Sequence, residues 1–120
     1  MKRKELIWVA SSKKDLKKFP EDVQDTMGYG LLDAQEGKKH EKAKPLQGFG
    51  GADILEIIDE DQSGTYRTVY AVRFKEVVFV LHAFQKKSKQ GIETPQQEIE
   101  LIKNRLKQAL EEYNELYKKK

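Results

Sequence analysis

The sequence predicts an α+β fold: a small, mostly antiparallel sheet in the element order β-α-α-β-β-β-α, with a helix pair near the N-terminus and one C-terminal helix. Three observations carry that expectation. Thr65 to Lys89 holds two β-rich runs, dense in Tyr, Thr, Val and Phe, joined by a tight turn at Lys75 and Glu76. Val23, Met27, Leu31 and Ala34 recur at i, i+4, i+8 and i+11, one apolar helical stripe. Thr94-Pro95-Gln96-Gln97 has the residue types of a capped helix start.

Leu6, Ile7, Trp8 and Val9 form a short apolar strand behind a charged start. Ser12 is the expected cap of a brief helix, with Asp15 closing a capping box, and Pro20 opens the striped second helix. Gly28 and Gly30 each weaken that helix by roughly 1 kcal/mol against alanine, which points to close backbone packing. The helix pair ends near Gly37, and Lys38 to Gly51 is a loop by its Gly, Pro and Lys content. Its His40 reads as an ordinary exposed histidine. Ile54 to Ile58 is a strand, Asp59 to Gly64 a turn, and the long hairpin follows, giving three successive antiparallel strands. Period-2 counting puts Tyr66, Thr68, Tyr70, Val72 and Phe74 on one face of the hairpin's first strand and Arg67, Val69, Ala71 and Arg73 on the other. Val77 to Ala83 is apolar on both faces, the pattern of a central strand, interrupted by His82. The last helix is expected to pack through Ile99, Ile102, Leu106, Leu110 and Tyr113, with the chain from Tyr113 onward projecting past the core.

A chain of 120 residues bounds this to a single domain, residues 1–120, with one core. No stretch has the apolar length of a membrane helix, and the charged start is not followed by a signal-peptide core, so a cytoplasmic protein with no membrane association is expected. The sequence has no cysteine, which excludes disulfides, thiolate metal sites and thiol nucleophiles. Charge is unevenly spread. Residues 1–18 hold seven Lys/Arg and two acids; residues 52–61 hold five acids and no cation; residues 64–91 hold six Lys/Arg and one acid. A basic hairpin in a nearly neutral protein reads either as a solvated surface or as a face for a phosphate-rich partner.

Particular residues narrow the choice. G-x-Y-R-x-V-Y-x-V runs from Gly64 to Val72, V-L-H-A-F-Q-K-K-S-K from Val80 to Lys89, T-P-x-x-E-I from Thr94 to Ile99, and K-P-L-x-G from Lys44 to Gly48. Together with the element order, these motifs resemble the RelE/ParE superfamily of bacterial toxins, and within it the phage-related, HigB-like branch. The resemblance runs from Trp8 to about Leu110. It implies the toxin of a type II toxin–antitoxin system, neutralised by a small helix-turn-helix antitoxin. It also implies a metal-independent endoribonuclease that cuts mRNA on the ribosome, with no cofactor. The alternative is a non-enzymatic toxin or binding module acting on a protein such as DNA gyrase.

Cleavage of this kind sends the 2′-hydroxyl against the adjacent phosphate, which needs a base, cations for the phosphorane and an acid for the leaving oxygen. By the resemblance, Arg67 matches the arginine after G-x-Y, and Lys86 or Lys87 the basic residue after the last strand. Arg67, Lys86 and His82 are the catalytic candidates; Arg73, Lys87, Lys89 and Tyr66 are the substrate-binding ones. His82 also reads as a hydrogen-bonded core histidine, and Tyr66 as a core aromatic. Some relatives carry lysines on the preceding strand, where this chain has Glu56 and Asp59. Those acids are expected to repel phosphate and leave the general base open. The antitoxin is expected either to cover the cation cluster with acids or to dock away from it. The favoured contact is the two N-terminal helices, through the basic face Lys13, Lys14, Lys17 and Lys18 and the thin surface at Gly28 and Gly30.

Overall fold

The computed structural model describes residues 2–86 and 94–118. Strand β1 spans Glu5–Trp8, helix α1 Ser12–Leu16, helix α2 Glu21–Gln35, and strands β2 to β5 Ala43–Pro45, Ile54–Asp61, Gly64–Ala71 and Val77–Lys86. Helix α3 spans Gln96–Tyr113 and runs into a π-helical turn at Asn114–Lys118. The expected α+β order is present, with one strand added. The strands form a single sheet in the order β1-β5-β4-β3-β2. Only the β1–β5 pair is parallel; the others are antiparallel.

Strand β5 is central, as its two-sided apolar pattern requires, and residues Val77 to Phe84 are all buried. Helix α2 covers one face. Val23, Met27, Leu31 and Ala34 pack there with Leu55, Ile57, Tyr66, Tyr70, Val78 and Val80. Helix α3 covers the other, where Ile99, Ile102 and Ala109 meet Val69, Ala71, Phe74, Val77, Phe79, Leu81 and Phe84. Each fully buried aliphatic side chain contributes about 1.5–3 kcal/mol, so the two stripes hold both layers to the sheet.

A β-bulge decides which layer receives His82. Val69 pairs with His82 and Tyr70 with Val80, so Leu81 is an extra residue on β5. The alternation therefore shifts by one, and Leu81 and His82 both face α3. Without the bulge His82 would point into the α2 core.

Several local expectations are corrected. Ser11, not Ser12, caps α1, and its hydroxyl donates to Asp15 Oδ2 at 2.7 Å. Ser12 is fully buried and donates instead to the Val80 carbonyl. The β4–β5 connection is longer than a two-residue turn, because Phe74 leaves the strand to pack on Phe79 and Tyr113. The turn after β3 closes at Gln62 and Ser63, held by Asp61 Oδ1 accepting from the Ser63 N–H at 2.8 Å. Leu110 is 44 % exposed and Ala109 takes its place in the core, because the buried positions advance by three and four in turn and reach 109 first. Of the described residues beyond Tyr113, none of Asn114–Lys118 is buried, yet Tyr117 packs against the α3-side core. Tyr113 donates to Glu76 at 2.7 Å and Tyr117 to Glu5 at 2.5 Å, fastening the end of α3 to the starts of β5 and β1.

Candidate active site

Strand pairing lines up Lys44, Glu56, Val69 and His82 across β2, β3, β4 and β5. At roughly 4.8 Å per strand, Glu56 and His82 stand about 10 Å apart on the face that α3 covers. The next row carries Arg67, opposite Ile58 and Phe84. Lys86 follows Phe84 by two residues and pairs with Thr65, so it shares this face as a diagonal neighbour of Arg67.

Arg67 and Glu56 form the centre. Arg67 is 3 % exposed, and its Nη1 donates to Glu56 Oε1 at 2.9 Å and to Thr94 Oγ1 at 2.9 Å. Thr94 in turn donates to the same Glu56 oxygen at 3.1 Å. Both described donors converge on Oε1, and Glu56 Oε2 takes no hydrogen bond from a described residue. The carboxylate lines a cleft of about 400 Å³ walled by Lys44, Pro45, Leu46, Gln47 and Gly48 on one side and Thr94, Gln96, Ile99 and Lys103 on the other. The K-P-L-x-G segment is therefore one cleft wall, and the T-P helix start is the other. A buried ion pair costs several kcal/mol of desolvation per charge, and apolar replacement is often as stable. Here only the Glu56 half of the pair reaches the cleft, while Arg67 stays behind it.

The reading that Glu56 and Asp59 repel phosphate is corrected by their partners. Glu56 is paired with Arg67, and Asp59 points to the opposite face, where Lys42 reaches it at 2.6 Å. Burial pushes the Asp59 carboxyl up, but hydrogen bonds from Lys42 and Thr26, the Lys42 charge and a backbone hydrogen bond together outweigh it and hold it below the ordinary aspartate value.

His82 belongs to a separate chain of contacts. Its Nε2 donates to Glu98 Oε1 at 2.7 Å, and its Nδ1 faces Arg105 Nη1 at 3.2 Å. Arg105 also donates to the Leu81 carbonyl, exposed by the bulge, and to Ser11 Oγ. Burial pushes the imidazole below its usual range, outweighing the pull of Glu98. A neutral ring carrying its proton on Nε2 satisfies both neighbours. The ring stacks on Phe84 at 4.8 Å.

The other candidates scatter. Tyr66 lies on the α2 face, packed on Phe19 at 4.8 Å, with its hydroxyl against Ser63 Oγ. Arg73 sits at the far end of the hairpin, paired with Asp53 at 2.8 Å. Eight residues from Thr65 at about 3.3 Å each put it roughly 25 Å from Lys86. Lys87 and Lys89 lie outside the described residues. Among the described residues no group of His, Asp and Glu is placed to hold a metal ion. No helix among them is long and apolar enough to cross a membrane.

Sequence reasoning missed two members of the site. In sequence, Glu56 reads as a charge that repels phosphate and Thr94 as a helix cap. The detectable signal was alternation across the β3–β4 turn, which puts Glu56 and Arg67 on one face. Thr94 had no such signal, because its contact depends on where α3 crosses the sheet.

This sheet order, with two N-terminal helices on one face and a long helix on the other, defines a RelE-like fold. The isolated Escherichia coli RelE toxin superposes with a TM-score of 0.56 at 24 % identity, covering 84 % of this chain and 97 % of that one. A double arginine-to-alanine mutant of the E. coli toxin RelE in the free state gives 0.54 at 20 % identity, covering 89 % and 98 %. At these identities the likeness is one of fold. Among curated proteins none matches. Residues 14–107 match the phage-derived Gp49-like proteins, and the chain belongs to that family.

Proposed function

We propose that this chain is the toxin of a type II toxin–antitoxin pair and that it cleaves mRNA on the ribosome as a metal-independent endoribonuclease. The observation that carries this reading is a cleft on a RelE-like fold lined by Glu56 and Thr94, with Arg67 hydrogen-bonded to both from its buried position behind them. Glu56 Oε2 takes the proton of a 2′-hydroxyl, and the 2′-oxygen attacks the adjacent phosphorus. The P–O5′ bond breaks, and the 5′-oxygen receives a proton from the Lys86 ammonium. The products are a 2′,3′-cyclic phosphate and a 5′-hydroxyl. Arg67 orients the base and, with Lys44 and Lys103 at the rim, offsets the charge that grows on the phosphorane oxygens. Lys87 and Lys89 serve as further phosphate contacts. His82 seats α3, while Tyr66 and Arg73 act away from the reaction. The antitoxin, a helix-turn-helix protein, docks on the basic face of α1 and leaves the cleft to RNA.

Induced expression tests the reading. Wild type should arrest growth and cut transcripts, whereas Arg67→Ala and Lys86→Ala should grow normally. Each removes fixed charge worth roughly 3 kcal/mol in the transition state. Growth arrest by both variants at wild-type strength overturns the assignment. Arrest with intact transcripts favours a protein target instead.

A further inference from the structure

Thr94 stands immediately before the residue that caps α3, and its composition marks it as the cap. The helix start does not use it. Pro95 caps α3 at φ −57°, and the Pro95 carbonyl accepts from the Glu98 and Ile99 N–H groups at 3.0 and 3.1 Å. No side chain caps this helix. The Thr94 hydroxyl instead accepts from Arg67 and donates to Glu56 Oε1, closing a three-membered ring of hydrogen bonds. A hydroxyl is suited to this place because it can accept from a guanidinium and donate to a carboxylate at once. With Oε1 occupied twice, the carboxylate cannot rotate without breaking two bonds, and Oε2 of this cleft-lining side chain takes no hydrogen bond from a described residue.

We propose that Thr94 is a positioning residue for RNA cleavage, whose hydroxyl presents Oε2 of Glu56 to the substrate. The proposal rests on the endoribonuclease reading above. It also makes the first turn of α3 part of the site: a shift of that helix start would move the base.

The test compares wild type, Thr94→Val and Thr94→Ser by two measurements on the full chain. The first is exchange of the Arg67 guanidinium protons with water, read by NMR on the free protein. Thr94→Val should speed exchange and lower the melting temperature modestly through the lost hydrogen bonds, and Thr94→Ser should leave both close to wild type. The second is cleavage of mRNA on programmed ribosomes. Thr94→Val should lower kcat by roughly 10²-fold, the scale of a misplaced catalytic group, with KM unchanged, and Thr94→Ser should restore it. Unchanged guanidinium exchange in Thr94→Val overturns the proposal, as does faster exchange with wild-type kcat. If wild type cuts no RNA, the endoribonuclease reading fails, and the guanidinium signal still decides whether Thr94 holds the pair.

Discussion

At the scale of single residues, Gly28 and Gly30 look equivalent in sequence and differ in space. A Cβ built on Gly30 would lie 2.5 Å from Ile57 Cδ1 in the α2 core, whereas one on Gly28 would meet nothing within 4 Å. Gly30 is therefore required by the contact of α2 with β3, and Gly28 is a plain helix glycine on the solvent side. Gly28→Ala should raise stability by roughly 0.5–1 kcal/mol through helix propensity and reduced unfolded-state entropy. Gly30→Ala gains the same propensity but overpacks the core at about 1–3 kcal/mol, so it should melt below Gly28→Ala. Denaturant unfolding of the two variants checks the order. A Gly30→Ala protein as stable as Gly28→Ala would mean that Ile57 yields freely.

At the scale of elements, α3 is held to the sheet by an apolar stripe and by the Glu98–His82–Arg105 contacts, which also reach α1 through Ser11. Burial lowers the His82 pKa in the fold, so the folded chain binds the proton less readily than the unfolded chain. Stability is therefore full above the unfolded histidine value of about 6.5 and is lost as pH falls from there toward the lower folded value. A proton on Nδ1 would confront Arg105 Nη1, while Glu98 and, more distantly, Asp15 act in the opposite sense. His82→Gln should flatten the loss of melting temperature between about pH 7 and pH 5. An unaltered slope in that variant would assign the loss to other groups. Much of this layer was legible. The α2 stripe is buried at every predicted position, and β5 is central as its apolar run demanded. Strand β2 was not legible, because a three-residue edge strand ending in Pro45 has no periodicity to detect. The bulge at Leu81 was equally hidden, since an apolar run reads the same with one residue added. For that reason alternation could not tell which layer His82 faces.

At the scale of the whole molecule, the two helical layers do different work. The α1–α2 layer carries exposed lysines and no part of the cleft; the α3 layer supplies Thr94, Gln96, Ile99 and Lys103 to it. The candidate site was half readable in advance. Arg67 and Lys86 share the α3 face, but alternation alone separates Tyr66 from them, and hairpin length alone separates Arg73. Glu56 reads in sequence as a bare repulsive charge, because its ion pair with Arg67 appears only once the β3–β4 register is known. The central claim is that Glu56 removes the 2′-hydroxyl proton in a transesterification. The direct measurement is the chemistry of the cut ends of mRNA on programmed ribosomes, for wild type and Glu56→Gln. The account predicts a 2′,3′-cyclic phosphate and a 5′-hydroxyl from wild type, and a cleavage rate at least about 10²-fold lower from Glu56→Gln. A 3′-hydroxyl with a 5′-phosphate, or an undiminished rate in Glu56→Gln, would contradict it.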